Sequence, residues 1–565
     1  MQSKQGGSRT GLEFYTRFTS AVVQRTDGVQ IGPQAMSVLD GGGGFQYVGS
    51  TKGDMKILFV ASEGLPFSKT GGLADVVEAL PKALVALGHD VTVLLPRYRK
   101  TRTVAVAVPS LTIPMGSRLR FPVIADGGLL NGVGYYFVED PEYFDRDQLY
   151  GAPGKDYPDN AERFAEFSRA AIEFCKHVWM PDLIHCHDWQ SGLVPVLLRT
   201  EYAKDTAVQG LPVVFTIHNM GYHGTFPRDV MKKIGLPESL FSIDAMEFYG
   251  RINFLKGALT FSDYLTTVSP KYAEEIQTSE YGHGLDGVVR NRAANLTGIL
   301  NGADYAAWSP EKDKLIASRY SPKDMSGKIA CKKNLIEVFG LPADTLDKPL
   351  IGIVSRFAGQ KGFDLIGQIA ADLLAEDLAI VVLGAGEPKY EKLFRELQKT
   401  YSEKIAVKIT YDNIMAHKIE AGADIFLMPS RYEPCGLNQI YSLKYGTVPV
   451  VRATGGLDDT IEEFDPVTGR GTGFKFQEYD ADALLGAIQQ ALSVYRNDPE
   501  AWRRIQTNGM SKDFSWQASA IEYARLYEVA LKSRNRSAAT TSNETGAKSA
   551  KISPAASTGK GSHGR

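Results

Sequence analysis

The chain has 565 residues, of which 43% are hydrophobic and 23% are charged. This length exceeds the size at which one hydrophobic core stops growing, so we expect at least two domains and exclude a small disulfide scaffold or a wholly disordered chain. The 63 basic and 65 acidic side chains give a formal net charge of −2. No overall field therefore favours nucleic acid or an anionic membrane, and a phosphate-bearing partner must be bound locally.

The cysteines and the apolar runs both point to an intracellular chain. The four cysteines are widely spaced and form no C-x-x-C pair: Cys175, Cys186, Cys331 and Cys435. This spacing argues against a disulfide framework or a structural zinc site and favours a reducing compartment. No apolar run reaches the roughly 20 residues needed to cross a bilayer, and no basic start precedes an apolar core. We predict a cytoplasmic protein with no membrane partner.

The two ends of the chain lack the periodicity of a folded core. Residues 1–54 include four consecutive glycines and are predicted to be a poorly ordered N-terminal extension. A plastid transit peptide is an alternative, although acidic residues nearly cancel the basic ones in this segment. Another alternative is that Met55 is the natural start. Residues 535–565 carry one large aliphatic side chain, Ile552, and are predicted to be a disordered basic tail.

Short β-branched runs alternate with helical segments between these ends. In the first half we predict a helix over residues 74–87 and strands at 57–61, 91–95, 183–186, 213–217 and 264–268. In the second half we predict strands at 350–354, 379–383, 425–428 and 448–451. Continuous apolar strands separated by helices are typical of parallel sheets covered on both faces.

Two such series, joined near residues 296–305, predict an α/β protein with two Rossmann-like, doubly wound domains that face each other across a cleft. We place the first domain at residues 55–300, the second at 301–515 and a final helix at 516–534. Ligands of such sheets bind at the carboxyl ends of the strands. The cleft between the domains is therefore the predicted active site.

A glycine pair follows the first predicted strand. Gly71 and Gly72 lie between a strand and a helix, where backbone amides can approach an anion, and Lys69 adds a point charge. The segment is not a Walker loop, because its lysine precedes the glycines. The alternative is a glycine turn that serves only the strand-to-helix geometry.

Two later strands of the first half end in histidines. His185 and His187 share one strand face, but no third ligand is spaced nearby, so we predict no metal site. Asp188 stands where the strand gives way to a helix, which suits N-capping or the binding of hydroxyl groups. His218 lies in a glycine-containing loop, where active-site groups often occur, although many single histidines are satisfied core residues.

The second half carries cations and glycines at its strand ends. Arg356 and Lys361 follow the first strand of this half, as needed to neutralise a diphosphate. Glu433 follows the third strand and could accept two hydroxyl hydrogen bonds, and the amides of Gly436 and Leu437 could bind phosphate or sugar. A glutamate that caps the following helix is the alternative. A loop with Thr454 and Gly455 follows the fourth strand, and Gly71 and Gly72 follow the first strand of the first half. Four such loops at four strand ends are much stronger evidence for a ligand site than one loop would be.

Seven short motifs occur together along the chain: Lys69-Thr70-Gly71-Gly72-Leu73, His185-x-His187-Asp188-Trp189, Ile252-Asn253-Phe254-Leu255-Lys256, Asn301-Gly302, Gln360-Lys361-Gly362, Glu433-Pro434-Cys435-Gly436-Leu437 and Thr454-Gly455-Gly456-Leu457. Over about residues 55–530 this combination resembles the family of bacterial glycogen synthases and plant starch synthases. The resemblance implies the GT-B fold and a last helix that crosses back to the first domain. It also implies retaining transfer of glucose from ADP-glucose to the non-reducing 4-hydroxyl of an α-1,4-glucan such as glycogen or starch.

The resemblance also implies roles for particular residues, and no cofactor. The predicted catalytic residues are Arg356, Lys361, Glu433, His218 and Asp188. The predicted substrate-binding residues are Lys69, Gly71, Gly72, Asp75, Asn253, Cys435, Gly436, Leu437, Thr454 and Gly455. Fixed cations at the departing diphosphate lower the barrier most, so Arg356 and Lys361 are our first choices for catalysis. Neither the residues nor the family pattern identifies a covalent nucleophile, which favours departure and attack on the same face.

The chain departs from related patterns at two positions. Ala303 stands where the family usually has Val or Ile, and Tyr441 stands where retaining relatives on this fold often have a second Glu. Tyr441 fits the starch and glycogen synthases. Three alternatives remain: a GT-B transferase that uses a UDP-sugar, a catalytically silent glucan-binding protein, and a glucan phosphorylase, whose pyridoxal lysine we do not find.

Overall fold

The computed structural model describes residues 54–152 and 155–549, with side chains to residue 533. Apart from Asp54, the predicted N-terminal extension lies outside the described residues, as does the end of the predicted tail.

The first half of the described chain contains sixteen strands and eight α-helices. The strands are β1 (Lys56–Val60), β2 (Asp90–Pro96), β3 (Ala105–Val108), β4 (Ile113–Met115), β5 (Arg118–Arg120), β6 (Val123–Leu130), β7 (Val133–Glu139), β8 (Gly151–Ala152), β9 (Lys155–Asp156), β10 (Leu183–His187), β11 (Val213–Ile217), β12 (Thr225–Pro227), β13 (Glu247–Phe248), β14 (Arg251–Asn253), β15 (Tyr264–Thr267) and β16 (Leu296–Gly298). The helices are α1 (Gly72–Ala86), α2 (Pro141–Phe144), α3 (Asn160–His177), α4 (Leu193–Arg199), α5 (Val230–Ile234), α6 (Phe254–Phe261), α7 (Pro270–Glu275) and α8 (Asp286–Asn291).

The main sheet of this half has the strand order β16-β15-β11-β10-β1-β2-β7-β6-β3 within the described residues. The strands from β16 to β7 are parallel, as predicted, whereas β6 and β3 add an antiparallel edge. A tight hairpin causes this difference, because Asn131 and Gly132 both have positive φ, at 53° and 84°, between β6 and β7. Asn-Gly is the preferred pair for such a turn, so the sequence contained a signal that the prediction missed.

The second half of the described chain contains the remaining elements. The strands are β17 (Leu350–Val354), β18 (Ala379–Gly384), β19 (Ile405–Ile409), β20 (Ile425–Met428), β21 (Val448–Arg452) and β22 (Phe474–Phe476). The helices are α9 (Ser326–Phe339), α10 (Phe363–Ala375), α11 (Pro388–Thr400), α12 (Asn413–Gly422), α13 (Asn438–Lys444), α14 (Gly455–Thr460), α15 (Ala481–Asn497), α16 (Pro499–Met510) and α17 (Trp516–Ser549). The six strands form one parallel sheet in the order β19-β18-β17-β20-β21-β22.

Both sheets are covered on two faces, which confirms the predicted doubly wound class. Successive residues of β1 alternate between separate apolar clusters: Leu58 packs in one cluster and Phe59 in another, and both are fully buried. The second sheet repeats this pattern, since Ile351 packs on one face and Leu350 on the other. Side chains of a strand point alternately to the two faces, so a strand buried on both must be apolar throughout.

The last helix, α17, packs on the first sheet rather than the second. Tyr523 and Tyr527 of α17 are fully buried in the apolar cluster that also contains Phe59 of β1. The backbone of α17 is helical to Ser549, past residue 534 where the predicted helix ends. Residues 535–549 are thus helical where a disordered tail was predicted; they continue α17 without an intervening proline, since the next proline is Pro554.

Candidate active site

The predicted site residues lie mainly in loops at the carboxyl ends of the two sheets. In the first sheet, the glycine pair Gly71–Gly72 lies in the loop after β1. Asp188 follows β10, and His218 follows β11. In the second sheet, Arg356 and Lys361 follow β17, and Glu433 follows β20. This is the edge at which open parallel sheets bind their ligands.

Lys361 and Glu433 form an ion pair at this edge of the second sheet. Nζ of Lys361 lies 2.5 Å from Oε2 of Glu433, whose side chain is 8% exposed. The hydroxyl of Ser430 donates to the same oxygen at 3.0 Å. Gly362 allows the two loops to meet, because its φ is +76° and a Cβ there would lie 1.9 Å from the carbonyl oxygen of Pro429. The pair therefore depends on close backbone approach that glycine permits.

Arg356 is exposed beside this pair. The electrostatic influence of its guanidinium reaches Glu387 and Tyr432. Among the described residues Arg356 has no ion-pair partner, whereas Lys361 is neutralised by Glu433. An exposed guanidinium next to a half-buried ammonium is an arrangement that can bind a diphosphate.

The glycine pair of the first domain begins a helix, as predicted. Gly71 is the N-cap of α1, and Gly71 and Gly72 are both exposed. Lys69 donates to Asp75 in the first turn of the helix, with 2.6 Å between Nζ and Oδ1. Asp75 thereby holds the lysine at the helix N-terminus, where free amides and the helix dipole favour an anion.

Glu63 lies beside this loop and was missed by the sequence analysis. Its side chain is almost fully buried, and Oε2 accepts hydrogen bonds from the amide and the hydroxyl of Thr70. Burial raises the pKa of Glu63 to about 7, although these hydrogen bonds act to lower it. The only sequence signal was an acidic residue directly after the first predicted strand.

Asp188 adopts an unusual backbone conformation for a residue other than glycine. Its φ is 55° and its ψ is 176°, a combination that is strained for residues with a side chain. Its Oδ1 accepts a hydrogen bond from the amide of His218 at 2.8 Å. Burial, with a smaller contribution from the charge of Glu63, raises the pKa of Asp188 to about 7. The aspartate therefore connects the ends of β10 and β11 and titrates near neutral pH.

The side chain of His218 is held by His187. Nδ1 of His187 lies 3.0 Å from Nε2 of His218. Burial lowers the pKa of His218 to about 3 and also lowers the pKa of His187, so both imidazoles are neutral at pH 7. Nε2 of His187 is buried without a hydrogen-bond partner among the described residues. One ring of the pair must donate the shared hydrogen and the other must accept it.

Two predicted substrate-binding residues, Asn253 and Cys435, are buried. Asn253 is fully buried as the N-cap of α6, where Oδ1 accepts from the amide of Lys256 and Nδ2 donates to His223 and Thr225. Cys435 packs in an apolar cluster of the first domain, and burial raises its pKa to about 12.

Thr454 and Gly455 bind a carboxylate of the first domain. The Thr454 hydroxyl and the Gly455 amide donate to Oε1 of Glu275 at 2.9 Å and 3.0 Å. Nearby, the hydroxyl of Ser269 donates to the carbonyl of Pro434. These contacts join α7 to the loops after β20 and β21, so the predicted ligand loops also connect the domains.

The remaining predicted hydrogen-bond donors are the backbone amides of Gly436 and Leu437, in the loop after β20. Gly436 has φ of +71°, and Gly436 and Leu437 are partly exposed, with no acceptor for either amide among the described residues. Tyr441, four residues beyond Leu437, stacks on Trp308 with ring centroids 4.1 Å apart. Burial raises the pKa of Tyr441, and the charge of Asp75 in α1 raises it as well.

The described residues show neither a metal-binding cluster nor a membrane-spanning helix. No group of three or more His, Cys, Asp or Glu side chains in this part of the chain is arranged to hold a metal ion. None of the helices described is both long enough and apolar enough to span a membrane.

Comparisons with known proteins identify relatives of this chain. The family model described as "Starch synthase catalytic domain" matches residues 56–291, and "Glycosyl transferases group 1" matches residues 342–509. A glycogen synthase of Koribacter versatilis is 57% identical over 482 residues, which cover 85% of this chain and 99% of that protein. A glycogen synthase of an Anaeromyxobacter species is 49% identical over 485 residues, covering 84% and 99%.

Solved structures show the same similarity. The catalytic domain of starch synthase IV from Arabidopsis thaliana, bound to ADP and acarbose, superposes with a TM-score of 0.76 at 33% identity, covering 85% of this chain and 100% of that one. Sucrose-phosphate synthase from Thermosynechococcus elongatus has a TM-score of 0.53 at 20% identity, covering 84% and 99%, and shares the fold alone. The two-domain GT-B fold predicted from the sequence is confirmed.

Proposed function

The chain belongs to the family of bacterial glycogen synthases and plant starch synthases, and on that basis we propose that it transfers glucose from ADP-glucose to the non-reducing 4-hydroxyl of an α-1,4-glucan, releasing ADP with retention at the anomeric carbon. Its family makes it a glycosyltransferase with glycogen or starch synthase function. The ADP and acarbose of the Arabidopsis relative support a nucleotide-sugar donor and a glucan acceptor.

The observation that carries the proposal is the Lys361–Glu433 pair at the carboxyl edge of the second sheet. Negative charge grows on the diphosphate as the bond to glucose breaks, so preorganised cations stabilise the transition state most. Arg356 and Lys361 supply that charge. Lys361 can turn from Glu433 to the diphosphate, which leaves the Glu433 carboxylate to accept hydrogen bonds from glucose hydroxyls.

Other residues bind the two ends of the donor. Lys69, positioned by Asp75, and the amides of Gly71 and Gly72 bind the distal phosphate and the sugar. The free amides of Gly436 and Leu437 donate to the donor from the opposite side. Thr454 and Gly455 act there once they release Glu275. Asn253 and Cys435 contribute through packing, because both are buried.

His218 acts as a neutral donor in this proposal. An unpaired buried N–H costs more than an unpaired ring nitrogen, so the unpartnered Nε2 of His187 is left unprotonated. His187 then donates through Nδ1 to Nε2 of His218, whose own proton must lie on Nδ1. Nδ1 of His218 makes no hydrogen bond to a described residue, and the side chain is partly exposed. It can therefore donate to a hydroxyl of the glucose or the acceptor.

Asp188 orients this histidine through the backbone amide of residue 218 and lies on the acceptor side. No side chain is assigned as a covalent nucleophile, so the acceptor attacks on the face from which the diphosphate leaves. The departing phosphate oxygen takes the proton of the 4-hydroxyl, which balances the reaction. We place the enzyme in the cytoplasm, in keeping with four free and buried cysteines.

The test is to incubate the purified protein with glycogen and either ADP-glucose or UDP-glucose and to measure nucleoside diphosphate release. We expect glycogen-dependent release that is faster with ADP-glucose. Faster release from UDP-glucose would overturn the assigned donor. Binding of glycogen without release from either donor would instead indicate a silent glucan-binding protein.

A further inference from the structure

A continuous row of aromatic rings extends from the active site along the first domain. Its members, here called the aromatic row, are Tyr432, His283, His223, Phe248 and Tyr249. The successive ring centroids lie 6.2, 6.2, 5.4 and 4.7 Å apart, and every pair is close to perpendicular. Edge-to-face contacts at these distances are favourable, so the row is an ordered surface and not a chance grouping.

One end of the row lies beside the reacting groups. Tyr432 directly precedes Glu433, and its carbonyl accepts a hydrogen bond from Gln360, the neighbour of Lys361. A Cβ on Gly221 would lie 3.7 Å from the Tyr432 hydroxyl and 3.8 Å from Cε1 of His283. Gly221 belongs to the loop that carries His218. The row therefore starts where the second domain meets the catalytic loop of the first.

The other end of the row lies in solvent. Tyr249 is 81% exposed at the tip of the hairpin that joins β13 to β14. Tyr249 and Gly250 both have positive φ, at 50° and 76°, a turn whose first position normally favours Asn or Gly. A tyrosine at this position is unfavourable for two reasons: a positive φ is disfavoured for a residue with a bulky side chain, and its aromatic ring is exposed to water. A ligand that covers the ring would account for its presence.

The row is also electrically neutral. Burial lowers the pKa of His223 and that of His283, so both imidazoles are uncharged at neutral pH. The tyrosine hydroxyls and the exposed imidazole of His283 can donate and accept hydrogen bonds, whereas Nδ1 of His223 already accepts from Asn253 and its Nε2 is buried. An uncharged surface of aromatic rings with some polar edges fits an uncharged polymer of sugars better than it fits a charged partner.

We propose that the aromatic row is the surface on which the α-1,4-glucan acceptor lies between the active site and solvent, with Tyr249 as its outermost contact. This inference rests on the proposed function and adds the binding surface of its acceptor. The C–H faces of successive glucose units stack on the rings, and their hydroxyls bond to the polar edges. The row extends acceptor binding well beyond the unit that reacts.

The test compares a long and a short acceptor in the intact enzyme. For Tyr249→Ala we expect the KM for glycogen to rise about 5-fold or more, as for loss of one aromatic anchor. We expect unchanged kcat and unchanged KM for ADP-glucose, and a much smaller rise in the KM for maltotriose, because on this proposal a three-unit acceptor covers mainly the inner part of the row. His283→Ala, nearer the reacting groups, should raise the KM for both acceptors.

Phe121→Ala is the matched control. Phe121 is 58% exposed, and it precedes β6 on the antiparallel edge of the first sheet. Phe121→Ala should leave the KM values for glycogen and for maltotriose unchanged. Tyr249→Phe keeps the ring and should retain most of the glycogen affinity, and thermal unfolding checks that each variant is folded.

Two results would overturn the inference while leaving the proposed function intact: an unchanged KM for glycogen in Tyr249→Ala, or an equal loss with glycogen and maltotriose. Failure of the proposed function is distinguishable, because the wild-type enzyme would then release no ADP with either acceptor.

Discussion

Lys361 and Glu433, 72 residues apart in the chain, form a 2.5 Å ion pair at the carboxyl edge of the second sheet. The pair has two consequences. In the proposed mechanism it holds the ammonium in place before a diphosphate arrives, and it positions the glutamate side chain for hydroxyl groups. Breaking one partner of a half-buried pair leaves the other uncompensated, so stability must be measured together with activity.

Lys361→Ala should lower kcat by about 10²- to 10³-fold with little change in the KM for ADP-glucose, because the charge on the leaving group is greatest in the transition state. Lys361→Arg should restore activity only in part, since a planar fork does not replace a compact ammonium. Steady-state kinetics at saturating glycogen measure both effects. Lys389→Ala, which removes an exposed lysine paired with Glu387, is the control. A rise in KM alone would make Lys361 a binding residue.

His187→Leu should lower kcat about 100-fold, because His218 would no longer be held with its proton on Nδ1. His187→Asn should retain much more activity, since the amide nitrogen can donate from the position of Nδ1. Nitrogen-15 NMR of labelled histidines reports the tautomer directly. The wild-type signal of His218 should show a protonated Nδ1. A protonated Nε2, or equal activity of the two variants, would contradict the positioning role of His187.

Asp188→Asn should stabilise the protein at pH 8 by on the order of 1 kcal/mol, and much less at pH 5. The folded-state pKa of Asp188 is raised to about 7, above its ordinary value near 4. The protonated Asp188 therefore adds fully to the free energy of unfolding below the ordinary pKa near 4. This contribution is lost as the pH rises through the folded-state pKa of about 7. Thermal unfolding at both pH values measures the difference. The same stabilisation at pH 5 and pH 8 would show that the carboxyl does not titrate in this range.

Cys435→Ser should retain most of the turnover, because the thiol packs between the domains and has no assigned chemistry. With a pKa of about 12, the thiol is almost wholly protonated at pH 7.5 and should react slowly with iodoacetamide in the folded enzyme. Mass spectrometry of native and unfolded samples gives the two labelling rates. Rapid native labelling that abolishes activity would instead place an accessible thiolate in the site.

Local sequence patterns predicted nine strands of the two sheets to within about a residue, because a strand buried on both faces must be continuously apolar. The parallel strands β7, β16, β19 and β22 were not predicted. The antiparallel edge was missed, although the Asn131-Gly132 turn was visible in the sequence. Glu63 could not be identified, because an acidic residue after a strand is common and only burial raises its pKa to about 7. Asn253 was expected to contact substrate, whereas its cap of α6 depends on the fold around it.

The sequence by itself determined which loops lie at the carboxyl edges of the two sheets, because the order of strand, loop and helix is local. Only the tertiary structure decided which groups meet there. The contacts of Lys361 with Glu433, of Gly455 with Glu275 and of Tyr441 with Trp308 join segments distant in the chain. The protonation of Asp188 and His218 was decided in the same way, since desolvation by surrounding elements sets their pKa values.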